Sequence, residues 1–200
     1  MTISILYPSA TNINLIPEFG KELWSWGKPL GVTLHYASDR DSKRVINWLK
    51  QEKLGYHIII ERDGTVVQTC SFDKRVDHAG AATWKNLSPN RHHIAICVMS
   101  WGKLLANKEK YFNWTGHEID FNDVAIRANF KGVSGYWDKA TQKQEISLMV
   151  LLNWLVNSGI EPSNICGHDE SCLPQGRKQD PGGVLSLSSD AIRKQLAIKP

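Results

Sequence analysis

The sequence predicts an α/β fold: a single domain with a central mixed β-sheet flanked by helices. Short apolar runs that read as strands alternate with amphipathic stretches that read as helices. An Asp63-Gly64 turn between two apolar runs marks a hairpin. The 200 residues contain no internal repeat, low-complexity tract or linker, so the expected unit is one domain spanning 1–200.

The elements follow in order, with the core expected over about 29–198. Residues 29 to 37 (PLGVTLHYA) read as a buried strand ending in a polar turn. Asp41 caps a helix whose Val45, Trp48 and Leu49 fall on one face. The hairpin joins Tyr56–Arg62 (YHIIIER) to Thr65–Cys70 (TVVQTC). Ile94–Met99 (IAICVM) reads as a central strand. Residues 102–138 show no sustained period and are expected to be a long inserted loop, of the kind that is functional or mobile. Thr141 and Gln144 form a capping box ahead of a helix carrying Ile146, Met149, Val150, Leu152, Asn153 and Val156. That helix ends at Gly159, with Pro162 beyond. Residues 164–167 deliver His168, an irregular polar stretch runs to Gly183, and a last helix covers about 189–197.

Composition bounds the function. Apolar residues make up 42% and charged residues 22%, an ordinary globular balance. No run of about eighteen apolar residues exists, so no membrane-inserted segment is expected. Residues 1–15 lack the basic flank, apolar centre and cleavage site of a signal peptide. The chain is therefore expected to be made in the cytoplasm and to stay there unless something else releases it. Cys70, Cys97, Cys166 and Cys172 are widely spread and read as free thiols. The net charge of +4 suits an anionic polymer, but solubility explains it equally well. Lys and Arg are scattered, which disfavours nucleic acid.

Of the seven histidines, most have a bland reading. His57 lies inside an apolar strand as a core residue, His92 and His93 precede a strand as surface or supporting groups, and His117 has no evident partner. His35 and His168 differ. His35 ends a buried strand, where a sheet edge holds side chains rigidly, and His168 opens a loop containing Lys178 and Asp180. Two imidazoles and one carboxylate, with a fourth position left to water, is the pattern of catalytic zinc. Cys166 and Cys172 flank His168 as alternative ligands, although their six-residue separation is wider than the usual spacing of about two to four.

Five blocks in order, VTLHYA, GYHIIIERDGTVVQ, FDKRVDHAG, residues 90–98 and GHDESCLPQGRKQDPGG, resemble the zinc N-acetylmuramoyl-L-alanine amidases. That family shares its fold with peptidoglycan recognition proteins and the amidase-type phage lysozymes. The resemblance runs from Gly31 to Gly183, with an extra segment between Trp101 and Trp137. It implies that His35, His168 and Asp180 bind Zn2+, that Lys178 stabilises the oxyanion, and that Tyr56 assists catalysis. It sets His78 and Asn90 near the substrate groove. Read as structure alone, Tyr56 is a strand-end aromatic, Asn90 a turn residue and His78 a fold-supporting hydrogen-bonding group.

Two departures stand out. Recycling and envelope-type members carry a glutamate where this chain has Cys97, whereas phage-type members lack it too. The loop from His168 to Asp180 is also longer than in the recycling enzymes. The implied substrate is peptidoglycan or its muropeptides, cut at the amide joining N-acetylmuramic acid to L-alanine by a monomer. A phage or prophage endolysin is the favoured setting, with a recycling amidase or an exported antibacterial amidase as alternatives. The different-class reading is a binding module that holds muropeptide without cutting it, and the intact ligand set argues for catalysis. In the extra segment, Tyr111, Phe112, Trp114, Phe130, Tyr136 and Trp137 either extend the groove or form a small satellite core.

Overall fold

Strand β1 (Asn12–Ile13), β2 (Gly31–Tyr36), helix α1 (Ser42–Glu52), β3 (Ile58–Ile60), β4 (Val66–Gln68), the short helix α2 (Pro89–His92) and β5 (His93–Val98) build the first half of the chain. Strands β6 (Lys103–Asn107), β7 (Lys110–Phe112), β8 (Glu118–Ile119), β9 (Val124–Ala128) and β10 (Ser134–Asp138) follow. Helix α3 (Gln142–Asn157), β11 (Ile165–Gly167), α4 (His168–Ser171) and α5 (Ser189–Ala197) complete it. This computed structural model describes residues 3–24 and 26–198, so the expected domain limits at 1 and 200 fall outside the described residues.

The main sheet has six strands in the order β1-β4-β3-β5-β2-β11. β3, β5, β2 and β11 run parallel, β4 turns back antiparallel to β3, and β1 lies parallel to β4. Because successive side chains point to opposite faces of a strand, each strand feeds two cores. Val32, Leu34, Ile94, Ile96 and Ile165 face α3 and α5, meeting Leu148, Leu151, Leu152, Leu155, Ile192 and Leu196. Ala95, Cys97 and Ile59 face α1, meeting Val45 and Leu49. His35 alternates with Leu34 and so emerges on the α1 side, at the carboxyl edge of the sheet.

Several expectations hold. Asp41 Oδ1 accepts from the amides of Lys43 and Arg44, capping α1. Gly64, at φ +88°, closes the hairpin, where only a residue without a β-carbon sits unstrained. Thr141 and Gln144 bond reciprocally at the start of α3.

Three expectations are corrected. Residues 102–138 are not an irregular loop: β6 to β10 form a five-stranded antiparallel sheet in the order β8-β7-β6-β10-β9. The strands are two to five residues long, too short and too solvent-facing to impose a hydrophobic period. The buried face of α3 is Gln144, Leu148, Leu151, Leu152 and Leu155, while Ile146 and Val150 are exposed. Apolar residues surround this helix, so two different three- and four-residue ladders fit the same sequence. The core also begins before residue 29, because Ile3, Tyr7, Ile16, Phe19 and Trp24 are buried in it.

Candidate metal centre

His35 is the penultimate residue of β2, and His168 directly follows β11, its parallel neighbour, where Gly167 pairs with Leu34. The two imidazoles therefore emerge side by side at the carboxyl edge, where open α/β sheets bind ligands. Asp180 arrives on the loop after α4, tied back by the Asp169 amide donating to the Asp180 carbonyl at 2.7 Å. One ligand atom from each of His35, His168 and Asp180 lies within 4.8 Å of the others, and all three residues are buried.

Hydrogen bonding fixes the tautomers. His78 Nε2–H donates to the Pro89 carbonyl at 3.3 Å, which leaves its Nδ1 to accept from His35 Nε2–H at 2.9 Å. His168 Nε2–H donates to the Ala79 carbonyl at 2.9 Å. In the neutral form each of these two imidazoles thus turns an unprotonated Nδ1 toward Asp180 Oδ2, at 2.8 Å for His35 and 2.9 Å for His168. Lone pairs facing one another repel unless a cation lies among them. This donor set of two imidazoles and a carboxylate, with outward ring nitrogens anchored, fits a zinc site with an open position.

The electrostatics agree. Burial pulls His35 down to about 4, so its ring is neutral at pH 7. Burial also lowers His78, reinforced by the neighbouring imidazoles. Asp169 behaves differently: burial and the neighbouring Glu170 and Asp180 raise it to about 8.

The cluster opens into a cleft of about 660 Å³, lined among others by Tyr36, Ser38, Trp48, Tyr56, Trp114 and Lys178. Tyr56 packs beside His35 with ring centroids 5.1 Å apart, and burial beside Cys97 and Asp180 raises its phenol well above the usual value. It is a neutral hydrogen-bond donor. Lys178 lies on the exposed rim. Cys97 pairs across β2–β5 with His35, and burial raises its thiol far above the ordinary range, so no base stands at that position.

Other sequence readings fare differently. Asn90 does not line the cleft: its side-chain oxygen accepts from the amides of His78 and Ala79, and its nitrogen donates to the Gly80 carbonyl. Asn90 therefore clamps the loop that anchors both candidate ligand imidazoles. Neither cysteine alternative joins the cluster. Cys166 sits one layer deeper, 3.7 Å from Thr33 Oγ1, and the Cys172 sulfur accepts from the Lys178 amide. His57 is a satisfied core residue, accepting from the Ala95 amide and donating to the Lys74 carbonyl. His92 and His93 are buried rather than at the surface, with His93 Nδ1 3.0 Å from Thr33 Oγ1.

The sequence reading missed the polar brace behind the cleft. Arg40 pairs with Asp123 and Asp138, and Asp138 also accepts from Ser100 and the Trp101 amide. These residues share no motif, because their partners lie 37 to 98 residues apart. Trp137 belongs to the main core and is buried against Gly182 and Gly183, whereas Trp114 is exposed in the cleft.

A lone-pair cluster at a sheet edge, opening on a cleft with a cationic rim, equips a hydrolase. Residues 25–183 match the family model for N-acetylmuramoyl-L-alanine amidase, and the chain belongs to that family. Its reaction is accordingly hydrolysis of the N-acetylmuramoyl-L-alanine amide. The fold is similar to a selenomethionine derivative of AmpD, at 19% identity and a TM-score of 0.61 over 99% of each chain. It is also similar to the endolysin amidase LysCS from Clostridium intestinale URNW, at 15% identity and a TM-score of 0.59 over 98% of this chain and 99% of that one. AmiD from E. coli, in complex with anhydro-N-acetylmuramic acid-L-Ala-D-γ-Glu-L-Lys, matches at 18% identity and a TM-score of 0.60 over 86% of this chain and 58% of that one. A search of curated proteins finds no sequence match. No helix among the described residues is long and apolar enough to cross a membrane.

Proposed function

We propose that this amidase is zinc-dependent, with His35, His168 and Asp180 as the ligands, and that it cuts peptidoglycan in the manner of a phage or prophage endolysin. The observation that carries the metal reading is the convergence of two imidazole Nδ1 atoms on one carboxylate oxygen, at 2.8 Å and 2.9 Å. Zinc held there supplies a Lewis acid, lowering the pKa of water to about 7 and polarising the scissile carbonyl. His78 and the Ala79 carbonyl orient the two imidazoles.

Attack on the amide develops negative charge on the carbonyl oxygen, and the Lys178 ammonium on the cleft rim stabilises it. Tyr56, a neutral phenol beside His35, hydrogen-bonds the reacting centre and does not serve as a base. The endolysin setting is supported by Cys97, which stands where the recycling enzymes carry a glutamate.

The test is digestion of purified sacculi and of isolated muropeptides, with mass analysis of the products and zinc content of the protein. Release of intact stem peptides, lost on chelation and restored by zinc, is the expected result. Hydrolysis undiminished in metal-stripped protein would overturn the zinc assignment. Activity on muropeptides but not sacculi would overturn the endolysin setting.

A further inference from the structure

Trp114 and Trp48 are unusual exposed residues: 67% and 52% of their surfaces face solvent, and both line the cleft that holds the His–His–Asp cluster. They come from different elements, Trp48 from α1 and Trp114 from the turn between β7 and β8. Large exposed aromatics converging on one cleft mark a binding surface more often than a folding requirement.

Trp114 is held rigidly. Its Nε1–H, the only polar group of the indole, donates to the Ser38 carbonyl at 2.9 Å. The turn presenting it is fixed by Asn113, whose side-chain oxygen accepts from the Thr115 amide, the Thr115 hydroxyl and the His117 amide. What remains for a ligand is a flat apolar ring with an electronegative face. Such a face suits the electropositive C–H bonds of a pyranose ring and offers nothing to the carboxylates of a peptide stem. The cleft has room for more than the scissile amide, since about 660 Å³ is ample for a saccharide beside it.

We propose that Trp114, assisted by Trp48, is a stacking platform for a sugar ring of the glycan strand, and that this platform makes the enzyme selective for polymeric wall over short muropeptides. The proposal deepens the amidase reading and rests on it for the identity of the polymer. The second sheet is then a specificity element that delivers one aromatic ring to a cleft built by the main sheet.

Two measurements separate the ideas. The first is retention of Trp114→Ala, Trp114→Phe and wild-type protein on peptide-free glycan strands, which requires no catalysis. The second is the ratio of kcat/KM on intact wall to kcat/KM on a single-sugar muropeptide. Trp114→Ala is expected to lower both retention and the ratio about tenfold, an effect of the size expected for one aromatic contact. Trp114→Phe, which keeps a ring but loses the bond to Ser38, is expected to restore most of each. An equal loss on both substrates with no rescue by Phe would make Trp114 a brace for the Ser38 wall and overturn the proposal. So would unaltered retention on glycan strands. Failure of wild-type protein to cleave either substrate, with retention still sensitive to Trp114, would instead sink the amidase reading and leave the platform standing.

Discussion

His35 donates its Nε2–H to Nδ1 of His78 at 2.9 Å, so a residue that holds no lone pair toward the candidate metal decides the tautomer of one that does. Removing such a supporting partner typically weakens metal binding about 10- to 100-fold. His78→Ala is expected to fall in that range by chelator competition, with activity recovering in excess zinc. An affinity equal to wild type would show that His35 is oriented by something else.

Lys178 tests the chemistry without touching the ligands. Lys178→Ala is expected to bind zinc at wild-type stoichiometry while kcat falls about 10²–10³-fold, as when one oxyanion donor is removed. Loss of zinc from this variant would move Lys178 from the reaction to the architecture of the loop.

Trp137 occupies space beside Gly183, where a β-carbon would come within 2.5 Å of the indole. Gly183→Ala is therefore expected to destabilise the protein by about 1–3 kcal/mol, as overpacking does. Because Asp180 lies three residues earlier, activity should fall with it. The double variant Gly183→Ala, Trp137→Leu should cost less than the sum of the single changes in urea denaturation. Strict additivity would show that the indole is not what excludes the side chain.

Acid should unfold the metal-free protein through its buried imidazoles. An unfolded histidine titrates near 6.5, whereas burial pulls His57 to about 4 and His93 to about 3. Between those values the unfolded chain binds more protons than the folded one, so stability is complete above pH 6.5 and is lost as pH falls toward 4. His57 alone contributes about 3 kcal/mol to that loss. Urea midpoints measured from pH 7 to 4.5 should decline less steeply in His57→Gln than in wild type, and equal slopes would remove His57 from the account.

Much of the candidate site was legible because its residues sit in contiguous motifs. His35 sits near the end of an apolar strand, and GRKQDPGG holds Lys178, Asp180, Gly182 and Gly183 in one stretch. The main sheet was legible for the same reason, as runs such as IAICV are long enough to declare burial. The second sheet was not. Its strands are short, its register is set by turns, and the Asn113 and Asn129 side chains that close those turns look like ordinary loop residues in sequence. Asn90 stayed open between turn and groove, because a turn amide that clamps His78 and one that touches substrate carry the same letter. The buried face of α3 was misread because leucine and isoleucine surround the helix, and only packing selects among them.

His35 and Asp180 stand 145 residues apart along the chain, yet their side chains touch. An ion gripping both would close most of the polypeptide into a ring, so that the disordered chain it releases on departure gains far more freedom than the folded one. Zinc supply would then govern how long the molecule survives proteases as well as how fast it works.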